Sequence, residues 1–193
     1  MSATASIMSP LGTRMPPFRL QDPHGRWVSS FDLEQAPAAL VMFICNHCPY
    51  VKHIQRDLTK LVAEYQRKGV AVAAINSNDA GAYPDDGPEP MARIAEEIGY
   101  TFPYLMDGDQ LVAKAFGAAC TPDFFVFDKR QILVYRGQMD GSRPGNHVPV
   151  TGKDLRAALD AVLKEKPVPA TQKPSVGCNI KWKPGNEPDY FKG

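Results

Sequence analysis

Apolar residues fall into two kinds of pattern along the chain. Ala38 to Ile44 is an unbroken apolar run, and Val70 to Ile75 is another; each fits a strand buried on both faces. Between them Val51, Ile54, Leu58, Leu61, Val62 and Tyr65 recur mostly at steps of three and four, the spacing of one helix face, and Gly69 supplies a stop. Strand, helix and strand with short joints predict a parallel βαβ unit.

The flanking segments are shorter. Pro16–Leu20 and Arg26–Phe31 bracket the turn residues Asp22-Pro23-His24-Gly25 and predict an N-terminal hairpin. Residues 76–90 form a polar, proline-containing loop, of a length that is usually functional or mobile. Met91 to Ile98 reads as a helix, Tyr104–Met106 as a strand, and Leu111–Phe116 as a helix closed by Gly117. Phe124–Phe127 and Ile132–Tyr135, joined by a polar turn, predict a second hairpin. Leu155, Ala158, Leu159, Val162 and Leu163 mark a last helix. Residues 165–193 hold five prolines and no period, so an irregular tail is expected. The expected partition is an extension over 1–13, one domain over 14–166 and a tail over 167–193.

Composition narrows the function classes. With 22 Lys+Arg against 21 Asp+Glu the net charge is +1, which leaves no basic footprint for nucleic acid. A hydrophobic fraction of 44% suits a packed core, and no apolar run approaches the ~18 residues of a membrane span. Residues 1–20 lack a basic segment followed by an apolar one, so a cytoplasmic, thiol-reducing setting is expected.

Four cysteines are present, and Cys45 and Cys48 form a Cys-x-x-Cys. The pair falls where the buried strand ends and the long helix begins. Unpaired N–H groups and the helix dipole stabilise a thiolate there and can lower a cysteine pKa from about 8.5 to roughly 3.5–7.5. Cys45 is expected to be the exposed, acidified nucleophile. Cys48, one turn on, is expected to be the more buried resolving thiol. His47, as an imidazolium between the sulfurs, would stabilise the thiolate and make the disulfide a stronger oxidant; the alternative is a solvent-exposed His that tunes nothing. His53 reads as a surface residue. Half of a zinc site is the structural alternative for the pair, but the sequence offers no second Cys-x-x-Cys or His-x-x-x-His.

With these residues in place, the chain resembles the thioredoxin superfamily, and more narrowly its AhpC/TSA (redoxin) branch. Phe43-Ile44-Cys45-Asn46-His47-Cys48-Pro49-Tyr50 is similar to the strand-to-helix active-site segment. Cys120-Thr121-Pro122-Asp123-Phe124 resembles the segment whose proline is cis and faces the disulfide. The resemblance covers roughly residues 14–166. It implies an α/β, thioredoxin-like fold: a central mixed sheet flanked by helices, with the N-terminal hairpin and irregular tail. It also implies that Pro122 shapes the groove and that the backbone of Thr121 pairs with an extended substrate chain. Cys120 is then a further candidate on the substrate side, or a small buried apolar residue. Ile44 replaces the usual tryptophan, and Asn46-His47 the usual Gly-Pro. Asp32 and Glu34 are candidates for the family's buried acid only by nearness in sequence.

The expected function is thiol–disulfide oxidoreduction with a protein or low-molecular-weight thiol partner and an external thiol as electron donor. No metal, flavin or nucleotide cofactor is implied, since neither a P-loop nor Gly-x-Gly-x-x-Gly occurs. Two alternatives stand beside it. One is a thiol peroxidase with Cys48 peroxidatic and Cys45 resolving, although Cys45 stands where a peroxiredoxin has a hydroxyl. The other is a non-catalytic metal-binding module. Cys178, in the tail, is either packed structurally or an additional redox thiol. The direction of electron flow and the oligomeric state stay open.

Overall fold

The computed structural model describes residues 3–191. In chain order the strands are β1 (Ala3–Ala5), β2 (Arg19–Gln21), β3 (Trp27–Ser29), β4 (Ala38–Phe43), β5 (Ala71–Asn76), β6 (Tyr104–Met106), β7 (Cys120–Thr121), β8 (Asp123–Asp128), β9 (Leu133–Gly137) and β10 (Val176–Asn179). The helices are α1 (Pro49–Arg67), α2 (Pro88–Ile98), α3 (Leu111–Phe116) and α4 (Lys153–Leu163). No helix among the described residues is long and apolar enough to cross a membrane.

Seven strands form one mixed sheet in the order β3-β2-β6-β5-β4-β8-β9. β4 and β5 pair in parallel, as do β5 and β6, while β8 runs antiparallel to β4. The alternation of side chains along a strand sorts the core into two layers. Leu40 and Met42 of β4 and Phe124 and Val126 of β8 join a cluster with Leu58 and Leu61 of α1 and Leu155 and Leu159 of α4. Val41, Phe43, Phe125 and Phe127 point the other way, onto Val112 and Phe116 of α3. Both faces of the central strands are covered, which is why they read as continuous apolar runs. A mixed sheet with helices on either side is the arrangement that the resemblance implies.

The expected elements are present with modest shifts in their ends. Pro49 and Pro88 start their helices three residues or so before the first periodic apolar position, because proline lacks only an N–H that the first turn leaves unpaired anyway. The loop over 76–90 contains a 3-10 turn, Pro84–Asp86, before α2 begins.

The tail departs from expectation. β10 pairs antiparallel with β1 on one side and β7 on the other, making a second, three-stranded sheet. Ile180 and Trp182 then bury their side chains against the α3 layer. The segment has no period because its order comes from two partner strands distant in sequence, not from one apolar face. Residues 3–13 and 167–191 thus pack on the domain they were expected to flank.

Gly177 makes this packing possible. A Cβ there would lie 1.9 Å from the carbonyl oxygen of Thr121 and 3.2 Å from the Pro122 ring, so only a glycine lets β10 approach so closely. Gly177→Ala is expected to destabilise the protein by about 1–3 kcal/mol, the usual cost of forcing atoms into a packed site. Denaturant unfolding measures it, and an unchanged midpoint would show that the close approach is not required.

Candidate active site

β4 ends at Phe43, and the chain crosses Ile44 to Cys48 before α1 starts at Pro49. Cys48 is the N-cap of α1, in extended conformation. Cys45 lies three residues earlier, in the loop. From the other side β7 brings Thr121, whose peptide bond to Pro122 is cis, the geometry that the resemblance implies. Thr121 touches both sulfurs: its Oγ1 is 3.2 Å from Cys45 Sγ, and its carbonyl oxygen is 3.2 Å from Cys48 Sγ. The structure therefore brings Cys45, Cys48, Thr121 and Pro122 together. All four cysteines are free and buried.

The expectation of an exposed, acidic Cys45 is not met. Cys45 is 2% exposed and Cys48 0%. The Cys45 thiol is raised well above its ordinary value, first by the neighbouring Cys48 sulfur, then by burial and the negative charge of Asp86. Cys48 is lowered to about 5. The neighbouring Cys45 thiol is the largest cause, and the Cys178 thiol and the N–H groups of Val51 and Cys178 add to it against burial. The sulfur makes no regular cap hydrogen bond, and the Thr121 carbonyl, which accepts only from a protonated thiol, works against the thiolate. The donors on the other sides outweigh it. The acidified cysteine is Cys48, and the Val51 N–H in the first turn of α1 is among the smaller causes.

Sequence reasoning missed the centre of the polar half of the site. Asp86, buried at the end of the 3-10 turn, accepts hydrogen bonds from the Asn46 N–H (2.7 Å), His47 Nδ1 (2.5 Å), Asn78 Nδ2 (2.8 Å) and Asn76 Nδ2 (3.2 Å). Burial alone would push its carboxyl up, but these donors hold it below the ordinary value, so it is an anion. An anion accepts, so Nδ1 of His47 carries a proton. Its Nε2 is buried without a partner, and its ring stacks on Tyr83 at 5.2 Å. His47 is thus neither free in solvent nor placed by the helix; it is fixed by the 76–90 loop. Asn46 is fixed with it, donating to the Asp85 carbonyl and accepting from the Tyr104 hydroxyl. The length and polarity of that loop were the only signal in the sequence.

Asp32 and Glu34 are not the buried acid. Asp32 is exposed and closes a capping box with Ser29, which lowers its pKa. A second fully buried carboxyl is Asp123, directly after Pro122. Neither of its oxygens has a hydrogen-bond partner of ordinary geometry, since the nearby Ser175 and Ser6 hydroxyls donate to the carbonyls of Gly137 and Ser175. Burial pushes it up to about 7, against weaker help from Ser175, Ser6 and the adjacent amides.

The remaining sequence candidates separate. Cys120 is fully buried, its sulfur 3.7 Å from the Pro122 carbonyl, and burial raises its thiol well above the ordinary value. Cys178 faces the site from β10, opposite Thr121. β10 therefore occupies the edge of β7 where a substrate chain was expected to pair. His53 is exposed and bonds Ser142 at 2.7 Å. Cys45, His47 and Asp86 offer ligand atoms within 4.8 Å of one another, a group that could hold a metal ion. His47 Nδ1 and Asp86 are bonded to each other, while His47 Nε2 has no partner.

The AhpC/TSA family model matches residues 11–136. The chain belongs to the AhpC/TSA family. It is similar to the crystal structure of an uncharacterized conserved protein from Geobacillus kaustophilus, at 57% identity over 95% of this chain and 98% of that one, with a TM-score of 0.93. A hypothetical protein from Sinorhizobium meliloti 1021 is 52% identical over 93% of this chain and 98% of its own, with a TM-score of 0.92. The thioredoxin domain of a thiol-disulfide oxidoreductase from Bacteroides vulgatus, 18% identical over 69% of this chain and 89% of that one, shares the fold at a TM-score of 0.56. The fold is thioredoxin-like. Among curated relatives, the thiol-disulfide oxidoreductase ResA of Halalkalibacterium halodurans is 25% identical over 118 residues, 61% of this chain and 62% of that protein. The chain spans less than two thirds of the length of the curated ResA relatives it matches.

Two outcomes follow from the ionisations. Thiolate ultraviolet absorbance is expected to titrate with a midpoint near 5 and to vanish in Cys48→Ser; a midpoint near the ordinary value of about 8.5 would contradict the assignment. The thiolate's contribution to stability is full above that ordinary value and is lost as pH falls through about 5. Asp123 has the opposite sign. Its neutral form favours the fold below the ordinary carboxyl value, and that contribution is lost as pH rises through about 7. Asp123→Asn is therefore expected to raise unfolding stability above neutrality by about 1–3 kcal/mol and to change little in acid. Equal effects at both ends of the range would rule this out.

Proposed function

We propose that the protein is a thiol–disulfide oxidoreductase that exchanges disulfides with a protein or small-thiol partner through Cys45 and Cys48. The observation that carries this reading is that one residue, Thr121, touches both sulfurs at the start of a helix. The Cys48 thiolate serves as the base for Cys45. Cys45 attacks one sulfur of the substrate disulfide and passes its proton to Cys48. The other substrate sulfur leaves as a thiolate and is protonated. Cys48, deprotonated again, then attacks Cys45 Sγ, closing the Cys45–Cys48 disulfide and releasing the reduced substrate. An external dithiol returns two electrons and two protons. The name carried by the ResA relatives is in line with this chemistry.

A second reading has its own observation. The acidified sulfur is Cys48, the one followed by proline, as a peroxidatic cysteine would be. A Cys48 thiolate attacking a hydroperoxide would give a sulfenic acid and an alcohol, and Cys45 would then displace water to form the same disulfide.

The assays separate the two. Insulin-disulfide reduction with an external dithiol is expected in the wild type and is expected to disappear in both Cys45→Ser and Cys48→Ser. Unchanged turnover in Cys45→Ser would reject the oxidoreductase. Peroxide consumption that survives in Cys45→Ser with added thiol but not in Cys48→Ser would establish the peroxidase instead.

A further inference from the structure

The tail brings a further sulfur to the site. β10 places Cys178 in register with Thr121, the residue whose Oγ1 and carbonyl oxygen lie 3.2 Å from Cys45 Sγ and 3.2 Å from Cys48 Sγ. Cys178 is 3% exposed and belongs to the same apolar cluster as Cys45 and Cys48. The Cys178 thiol and N–H both lower the Cys48 thiol, and the Cys48 sulfur in turn raises that of Cys178. Cys48 therefore responds to two other thiols, those of Cys45 and Cys178. The strand is not loosely laid there: Gly177 is pressed onto the Thr121 carbonyl, and further along the Lys181 N–H donates to Asn78 Oδ1 at 2.8 Å. The fourth cysteine differs, since its sulfur turns toward the Pro122 carbonyl.

We propose that Cys178 is a third redox thiol, which takes the disulfide over from the Cys45–Cys48 pair by intramolecular exchange at Cys48. The inference deepens the proposed oxidoreductase reading and rests on it. In the exchange the Cys178 sulfur, as thiolate, attacks Cys48 Sγ of the Cys45–Cys48 disulfide. A Cys178–Cys48 bond forms as the Cys48–Cys45 bond breaks, and the electron pair leaves on Cys45. Cys45 takes up the proton that Cys178 gave up, so no electrons enter or leave the protein.

The order of events is built into the site. In the dithiol protein Cys178 is silent: burial, and after it the Cys48 sulfur alongside, push its thiol up to about 12. Oxidation of Cys48 to a disulfide removes the negative sulfur, and with it that part of the shift. Cys178 becomes easier to ionise only when there is a disulfide for it to attack. Its place also matches its role, because a cysteine on an extended strand paired to β7 is presented as a substrate chain would be. Exchange moves the disulfide onto the tail strand and returns Cys45 as a free thiol.

The test is disulfide mapping by mass spectrometry. Cys45→Ser, which keeps three cysteines, is oxidised with diamide, which removes two electrons and two protons from a thiol pair. The expected result is loss of two thiols and recovery of a Cys48–Cys178 peptide within one chain. Three surviving thiols, a Cys48–Cys120 peptide or links only between chains would overturn the proposal. Wild-type protein equilibrated in glutathione buffers supplies the second measurement, which holds even if the variant does not fold. Cys45–Cys48 and Cys48–Cys178 peptides are expected together, and absence of the latter at every glutathione ratio would sink the idea. A Cys48–Cys178 link in a protein that fails to reduce insulin would reject the activity while leaving the third thiol in place. An active enzyme without the link would do the reverse.

Discussion

The Asp86 carboxylate gives up water on burial and recovers four hydrogen bonds, from Asn46, His47, Asn76 and Asn78. An ion in that setting tolerates little rearrangement, because losing one donor leaves charge uncompensated in a low-dielectric interior. Each donor is therefore held in place: the loop before α1, the end of β5 and the segment after it. Asn78 passes the constraint on, since it also accepts the Lys181 N–H and so anchors the tail that carries Cys178. One anion in a loop thus sets the position of two of the three sulfur-bearing segments.

The same charge adds to a difference between the sulfurs. Cys48 and burial, with Asp86 behind them, disfavour a thiolate at Cys45, while Cys45, Cys178 and the Val51 N–H in the first turn of α1 favour one at Cys48. The two cysteines are separated by a single turn but face opposite electrostatics. Their proton is best regarded as belonging to the pair.

Much of this was legible in the chain. Continuous apolar runs gave the strands buried on both faces, and steps of three and four gave α1, because both signals arise from local periodicity and one-sided or two-sided burial. Cys45-Asn46-His47-Cys48 stood out because strand and helix meet there. What stayed hidden depends on partners far along the chain. Asp86 lies 40 residues from Asn46 in sequence, in a segment with no period. Val176-Gly177-Cys178-Asn179 has neither alternation nor bulk, and becomes a strand only because β1 and β7 offer edges to it. The position of the acidic cysteine depended on contacts with Cys45 and Cys178 as well as on where the helix begins. The apolar pattern starts at Val51, yet Pro49 opens the helix and leaves Cys48, not Cys45, as its cap.

The three-stranded sheet joins Ala3–Ala5, Val176–Asn179 and Cys120–Thr121 into one layer. Chain ends are commonly treated as neutral ground for trimming and tagging. Here the strand Ala3–Ala5 braces the strand that bears Cys178, and that strand braces Thr121. A change within Ala3–Ala5 or Val176–Asn179 reaches the segment around Thr121 by way of backbone hydrogen bonds.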